Sequence, residues 1–187
     1  MKSGNVAAAN ASDTNGASVG KNAAQFEQLQ AEGHYEVECR DKDGNLKWSE
    51  GIENLVVTVG KNDLLDKYFT GSAYTAAWYL GLVDGASTPT YAATDTMASH
   101  AGWTENQSYS NATRPPPSWS SAAAGSKATT ATAFNINATA TIAGCFMATV
   151  STKGSTTGIL YSAGSFTGGN KSVASGDTLS VTYTATV

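Results

Sequence analysis

The two histidines, His34 and His100, are where acid–base or metal chemistry in this chain would have to begin. His34 falls in the stretch HYEVEC, between the apolar positions Tyr35, Val37 and Cys39, and reads as a surface residue on the polar face of a strand. His100 lies in DTMASHAGWTE, residues 95–105, with Asp95, Ser99 and Glu105 nearby. A metal site needs convergent ligands at a recognisable spacing, and one histidine with two carboxylates on an irregular stretch supplies none. Ser99 next to His100 is not a nucleophile–base pair, because adjacent side chains rarely face each other and no orienting acid is evident. The plainer expectation is that His100 and Trp103 pin their loop by hydrogen bonding and packing. Asp63 and Asp66 are flanked by Lys61 and Lys67, so they read as a solvated charged face rather than an acid pair. Gly60-Lys61 lacks the upstream glycine of a phosphate-binding loop. The expectation is therefore a non-enzyme, with no catalytic residue, no metal and no cofactor.

Four tryptophans stand at positions 48, 78, 103 and 119. Trp48 and Trp78 have apolar neighbours in strand-like runs and are expected in the core. Trp103 and Trp119 fall in a long irregular region and form the candidate exposed pair. Such a pair would serve as a subunit contact, where large aromatics are enriched, or as a stacking platform for sugars.

Composition narrows the class. Charged residues make up 14% of the 187, against roughly 25% in ordinary globular proteins. From Asn106 onward the charged side chains are Arg114, Lys127, Lys153, Lys171 and Asp177 alone. A surface this poor in charge is a solubility liability for a free monomer and hints at assembly. A net charge of −4 argues against nucleic-acid binding. No apolar run approaches the roughly 20 residues that span a bilayer, so no membrane partner is expected. The opening MKSGNVAAANASDTNG carries no apolar signal region. Cys39 and Cys145 sit in separate apolar strand-like contexts and are expected as buried free thiols.

Positioning elements follow from periodicity. Residues 1–32 read as an extended N-terminal arm. Up to about residue 24, Val6 and Val19 are the only large aliphatics, too few to offset the entropy of ordering. That stretch is either a loose terminus or an arm that orders against a neighbouring subunit, anchored by Phe26 and Leu29 in AQFEQLQ. Residues 33–187 read as a mostly β, sandwich or jelly-roll-like domain with one short helix. Residues 34–52 form a hairpin with its turn at Asp43-Gly44. NLVVTVGKNDLLDKYF, residues 54–69, is a strand running into a helix. Thr58 is its expected N-cap, Gly71 its stop, and Leu64, Leu65, Tyr68 and Phe69 its core-facing stripe. Ala77–Val83 is a strand apolar on both faces. Residues 84–130 form one long loop, in which Arg114 precedes Pro115, Pro116 and Pro117. Those three prolines favour an extended backbone open to partners. The last third is strands at about ten-residue spacing, one from Phe134 to Ile142, another after Gly144, and a strictly alternating one from Leu179 to Val187.

Three segments carry a resemblance: DGNLKW (43–48), NLVVTVGKNDLLDKYF (54–69) and DTMASHAGWTE (95–105), closing with SGDTLSVTY (175–183). Together they resemble a small structural protein of tailed-bacteriophage particles, over roughly residues 33–187. The resemblance implies a virion component made in the bacterial host cytoplasm, first of all a capsid decoration or cement protein. Similar cement proteins are β-rich and bind the outside of the major capsid shell as oligomers, so the expected partners are the major capsid protein and further copies of the chain, as dimer or trimer. The alternative is a tail fibre or adhesin module that binds host glycans. Under the first reading, the contact residues are Val6, Val19, Phe26 and Leu29 in the arm, with His100, Trp103, Arg114, Pro115, Pro116, Pro117 and Trp119 in the loop.

Overall fold

The computed structural model describes residues 30–71 and 77–187. Nearly all of the expected arm, with Val6, Val19, Phe26 and Leu29, lies outside the described residues.

The predicted hairpin forms from β1 (Glu32–Arg40) and β2 (Leu46–Glu53). Asp41 organises its turn by accepting the Asp43 and Asn45 N–H groups, each at 2.9 Å, and Gly44 takes a φ of +86°. The register shifts between Cys39 and Arg40, so Leu46 pairs with the outward-facing Arg40. This bulge turns Leu46 to solvent. β3 (Leu55–Val56) then leads into the helix α1 (Thr58–Phe69). The remaining strands are β4 (Tyr79–Asp84), β5 (Glu105–Asn106), β6 (Ser126–Ala128), β7 (Thr132–Asn135), β8 (Ala140–Ala148), β9 (Leu160–Ser165), β10 (Lys171–Val173) and β11 (Thr178–Thr186).

Two antiparallel sheets result. The first runs β2-β1-β11-β6, with β7 also on β11. The second runs β3-β9-β8-β4-β5, with β10 also on β8. The main core lies between them. Tyr35, Val37, Leu179, Val181 and Tyr183 from the first sheet meet Leu80, Leu82, Ile142 and Met147 from the second. Each such large side chain taken fully out of water contributes about 1.5–3 kcal/mol gross. The first sheet is otherwise polar, with Glu36 and Glu38 exposed on β1 and Thr182 and Thr184 half-buried on β11. The second sheet is buried on both faces, as the apolar strand near residue 80 predicts. Its far face holds Val83, Ala143, Phe146 and Leu160 under Met97 and Trp103 of the long loop. Cys39 and Cys145 are buried free thiols.

Two expectations are corrected. Gly144 does not separate two strands, because β8 runs through it. A side chain there would collide with the Gly164 carbonyl on β9, so glycine marks close strand approach. Residues 84–130 are not one loop, since they contribute β5 and β6, and isolated bridges pair Trp119 with Thr129 and Ala123 with Ser126.

Gly60 sets how α1 meets the second sheet. A Cβ at Gly60 would stand 2.6 Å from the carbonyl oxygen of Tyr161 on β9. Helix propensity alone favours Gly60→Ala by about 1 kcal/mol. Backbone cannot yield as a flexible side chain does, so we expect the reverse, a net loss of about 1–3 kcal/mol in urea unfolding. A stabilised Gly60→Ala protein would contradict this packing.

Candidate interaction surface

α1 enters through main-chain bonds. The Val57 N–H donates to Tyr161 O at 3.0 Å, and the Thr58 N–H to Ala93 O at 2.8 Å. Val57, not Thr58, is the N-cap, and no side chain caps the helix. The expected Thr58 cap is replaced by these bonds to neighbouring chain. The C-terminal end is as expected: the Thr70 N–H donates to Asp66 O at 3.1 Å, and Gly71 follows with a φ of +63°.

The helix is inverted relative to the sequence expectation. Gly60 is its buried position, and Val59, Asp63 and Lys67 are half-buried. Asp63 and Lys67, an i,i+4 pair 3.9 Å apart, keep side-chain exposures of 14% and 22%. Leu64, Leu65, Tyr68 and Phe69 are 38%, 45%, 81% and 72% exposed. Tyr68 and Phe69 stack edge-to-face at 4.9 Å between centroids, forming a compact aromatic knob. An exposed apolar cluster of this kind is the informative observation about a surface. Among the described residues, the exposed large hydrophobics are these four, Leu46 and Val187. Leu64, Leu65 and Val187 together line a groove of about 430 Å³.

Of the loop residues expected to contact partners, His100, Trp103, Arg114 and Pro115 make internal bonds. Trp103 is 3% exposed, and its indole N–H donates to Asp95 Oδ2 at 3.1 Å. It packs on Phe146 at 5.1 Å, and His100 stacks on it at 4.0 Å. His100 Nδ1 lies 3.0 Å from Trp103 O, and since a carbonyl only accepts, Nδ1 carries the proton. The pinning role expected of His100 and Trp103 is what the geometry shows. Exposure of Trp103 is corrected, and with it the paired-tryptophan platform for sugars.

Arg114 is 1% exposed and makes a two-pronged salt bridge. Nε and Nη2 reach the two oxygens of Glu105, both at 2.9 Å. Nη1 donates to Val150 O at 2.9 Å and Nη2 to Ser155 O at 3.2 Å. Glu105 also accepts the Gly154 N–H at 2.5 Å. Arg114 is therefore an internal tie between the loop, β5 and the turn after β8, and not a contact residue. Pro115 is buried and its carbonyl accepts the Leu80 N–H at 3.0 Å, so its backbone is not open to partners. Pro116 is exposed and Pro117 half-exposed, while Trp119 is half-buried, edge-on to Tyr183 at 6.1 Å. The structure gathers Trp103, His100 and Arg114 around one cleft of about 220 Å³ and leaves Pro116, Pro117 and Trp119 outside it. The surface that sequence reasoning missed is α1 itself.

Electrostatics at the first sheet's end govern acid behaviour. Burial works to raise the Asp177 pKa. Lys47 Nζ at 2.5 Å and the Ala174 N–H at 2.8 Å outweigh burial and hold it below the ordinary value. Asp41 is lowered by its Asn45 bonds, and Glu50 by its bond from Lys171. Carboxylates depressed in the folded state stabilise it fully above their unfolded pKa, near 4, and lose that contribution as pH falls through the folded values. Tm should therefore hold from neutral pH to about 5 and fall below about 4. Asp177→Asn should flatten part of that fall, and an acid-independent Tm would contradict the assignment.

No protein-family model matches the chain, and no curated protein matches it.

Proposed function

We propose that this chain is a structural virion protein of a tailed bacteriophage. It binds the outer surface of the capsid and stabilises it by bridging major capsid subunits, as a decoration or cement protein rather than an enzyme. The observation that carries the reading is the inverted helix, which presents Tyr68 and Phe69 to solvent while half-burying its ion pair. An apolar knob on a charge-poor surface suits permanent contact with other subunits. The acidic balance suits the outside of a shell better than its DNA-filled interior.

The mechanism is physical. Apolar area left exposed on the shell is covered at about 25 cal/mol per Å² gross. Ordering and docking costs offset most of it. A small surplus repeated at every site then resists internal pressure. The N-terminal arm extends the contact to neighbouring subunits. Deleting residues 1–24 is expected to leave Tm unchanged and to weaken binding to purified capsid shells in co-sedimentation. Equal binding of truncated and full chains would remove the arm from this reading.

A further inference from the structure

We propose that α1 is where two copies of this chain pair, the helices laid antiparallel about a twofold axis that passes between Leu65 and Tyr68. The helix carries both halves of a self-complementary surface. Leu64 and Leu65 wall the groove of about 430 Å³, together with Leu55 and Val187. Tyr68 and Phe69, one turn further on, form the protruding aromatic knob. The four side chains make one stripe of the helix, at i, i+1, i+4 and i+5. A twofold axis midway along the stripe sets each copy's Tyr68 and Phe69 against the other's Leu64 and Leu65. Each knob then enters the other copy's groove, the isologous contact that closes a dimer.

Charge agrees with this pairing. Lys61 lies on the same stripe, one turn before Leu64 and Leu65, and lines the groove. In the antiparallel register it meets the C-terminal, electronegative end of the second copy's helix. Glu32, exposed at the start of β1, lines the same groove. Its charge is offset by that of Lys61, so the groove offers an apolar knob a floor with no net charge and a polar rim. The area suffices as well. A buried aromatic side chain removes about 150–250 Å² from water, so the four half-free rings of a pair remove roughly 600 Å². The exposed parts of Leu64, Leu65 and Val187 in both copies bring the total to about 1,000 Å², the size at which a specific interface holds. Pairing is a property of the free chain and stands apart from the virion reading. A paired chain meets a shell with two copies at once, so losing the pair also weakens shell binding.

Sedimentation equilibrium of the full chain, from about 1 to 100 μM, tests the pairing. Expected is a rise with concentration from the 19.2 kDa chain to twice that mass. Tyr68→Ser with Phe69→Ser should raise the dimer Kd about a hundredfold or more, whereas Glu36→Ser with Glu38→Ser should leave it unchanged. A monomer at every concentration would overturn the proposal and give the α1 face to a partner of another kind. A dimer that survives the aromatic double change would overturn it by placing the contact elsewhere on the chain. Register is read by mixing Leu64→Cys chains with Tyr68→Cys chains under mild oxidation, the native Cys39 and Cys145 being buried. Antiparallel helices bring position 64 of one copy nearest position 68 of the other, so the mixed disulfide should exceed each symmetric one by more than the roughly twofold ratio of random pairing. A ratio at or below random would overturn the antiparallel pairing. No capsid enters these experiments, so their failure would leave the virion reading to its own test.

Discussion

Arg114→Ala should cost about 3–5 kcal/mol in urea unfolding, the range for stripping one partner from a buried pair. The alanine variant strips its two-pronged partner from Glu105, whose side chain is 6% exposed, and among the described residues leaves it the Gly154 N–H and a longer contact from Tyr109 at 3.4 Å. It also frees the carbonyls of Val150 and Ser155, which Arg114 satisfies. Folded domains hold about 5–15 kcal/mol in total, so this one change should remove a large share. Arg114→Lys should recover little, because an ammonium cannot reproduce the two-pronged fork. Replacing both partners together, Arg114→Met with Glu105→Leu, should cost less than Arg114→Ala alone. A loss under about 1 kcal/mol for Arg114→Ala would mean that the tie does not hold the loop.

The second large effect concerns binding without stability. Tyr68→Ser with Phe69→Ser should leave unfolding within about 0.5 kcal/mol, as for surface changes away from packed features. The same pair should weaken binding to purified capsid shells tenfold or more, since aromatic anchors dominate interfaces. Glu36→Ser with Glu38→Ser, on the exposed face of the first sheet, serves as the control and should bind like the parent. Undiminished shell binding by the aromatic double variant would remove α1 as the contact.

Most of the β architecture was legible in the sequence. Tyr35, Val37 and Cys39 alternate into the core as their period of two predicts, and Leu179, Val181 and Tyr183 do the same on β11. The place of α1 was legible, but its orientation was not. Periodicity says that Leu64 and Tyr68 share a face, yet it does not say which face meets the sheet. Gly60 decides that, because its bare backbone lies closest to Tyr161 on β9. Gly144 misled for a related reason: glycine lowers strand propensity, and only the neighbouring strand's proximity explains its presence in β8. The loop region was legible least of all. Its order comes from Trp103–Asp95 and Arg114–Glu105 bonds, which link unlike residues at no repeating interval. The pinning by His100 and Trp103 came through because their residue types suit it; the burial of Arg114 has no periodic signal to announce it.

The central claim is that the chain coats a capsid. Its most direct test is the copy number of this protein in purified tailed-phage particles whose genome carries its gene, by quantitative mass spectrometry against the major capsid protein. A decoration protein should be present in hundreds of copies, comparable to the capsid protein. A few dozen copies or fewer, or absence from the particle, would contradict it.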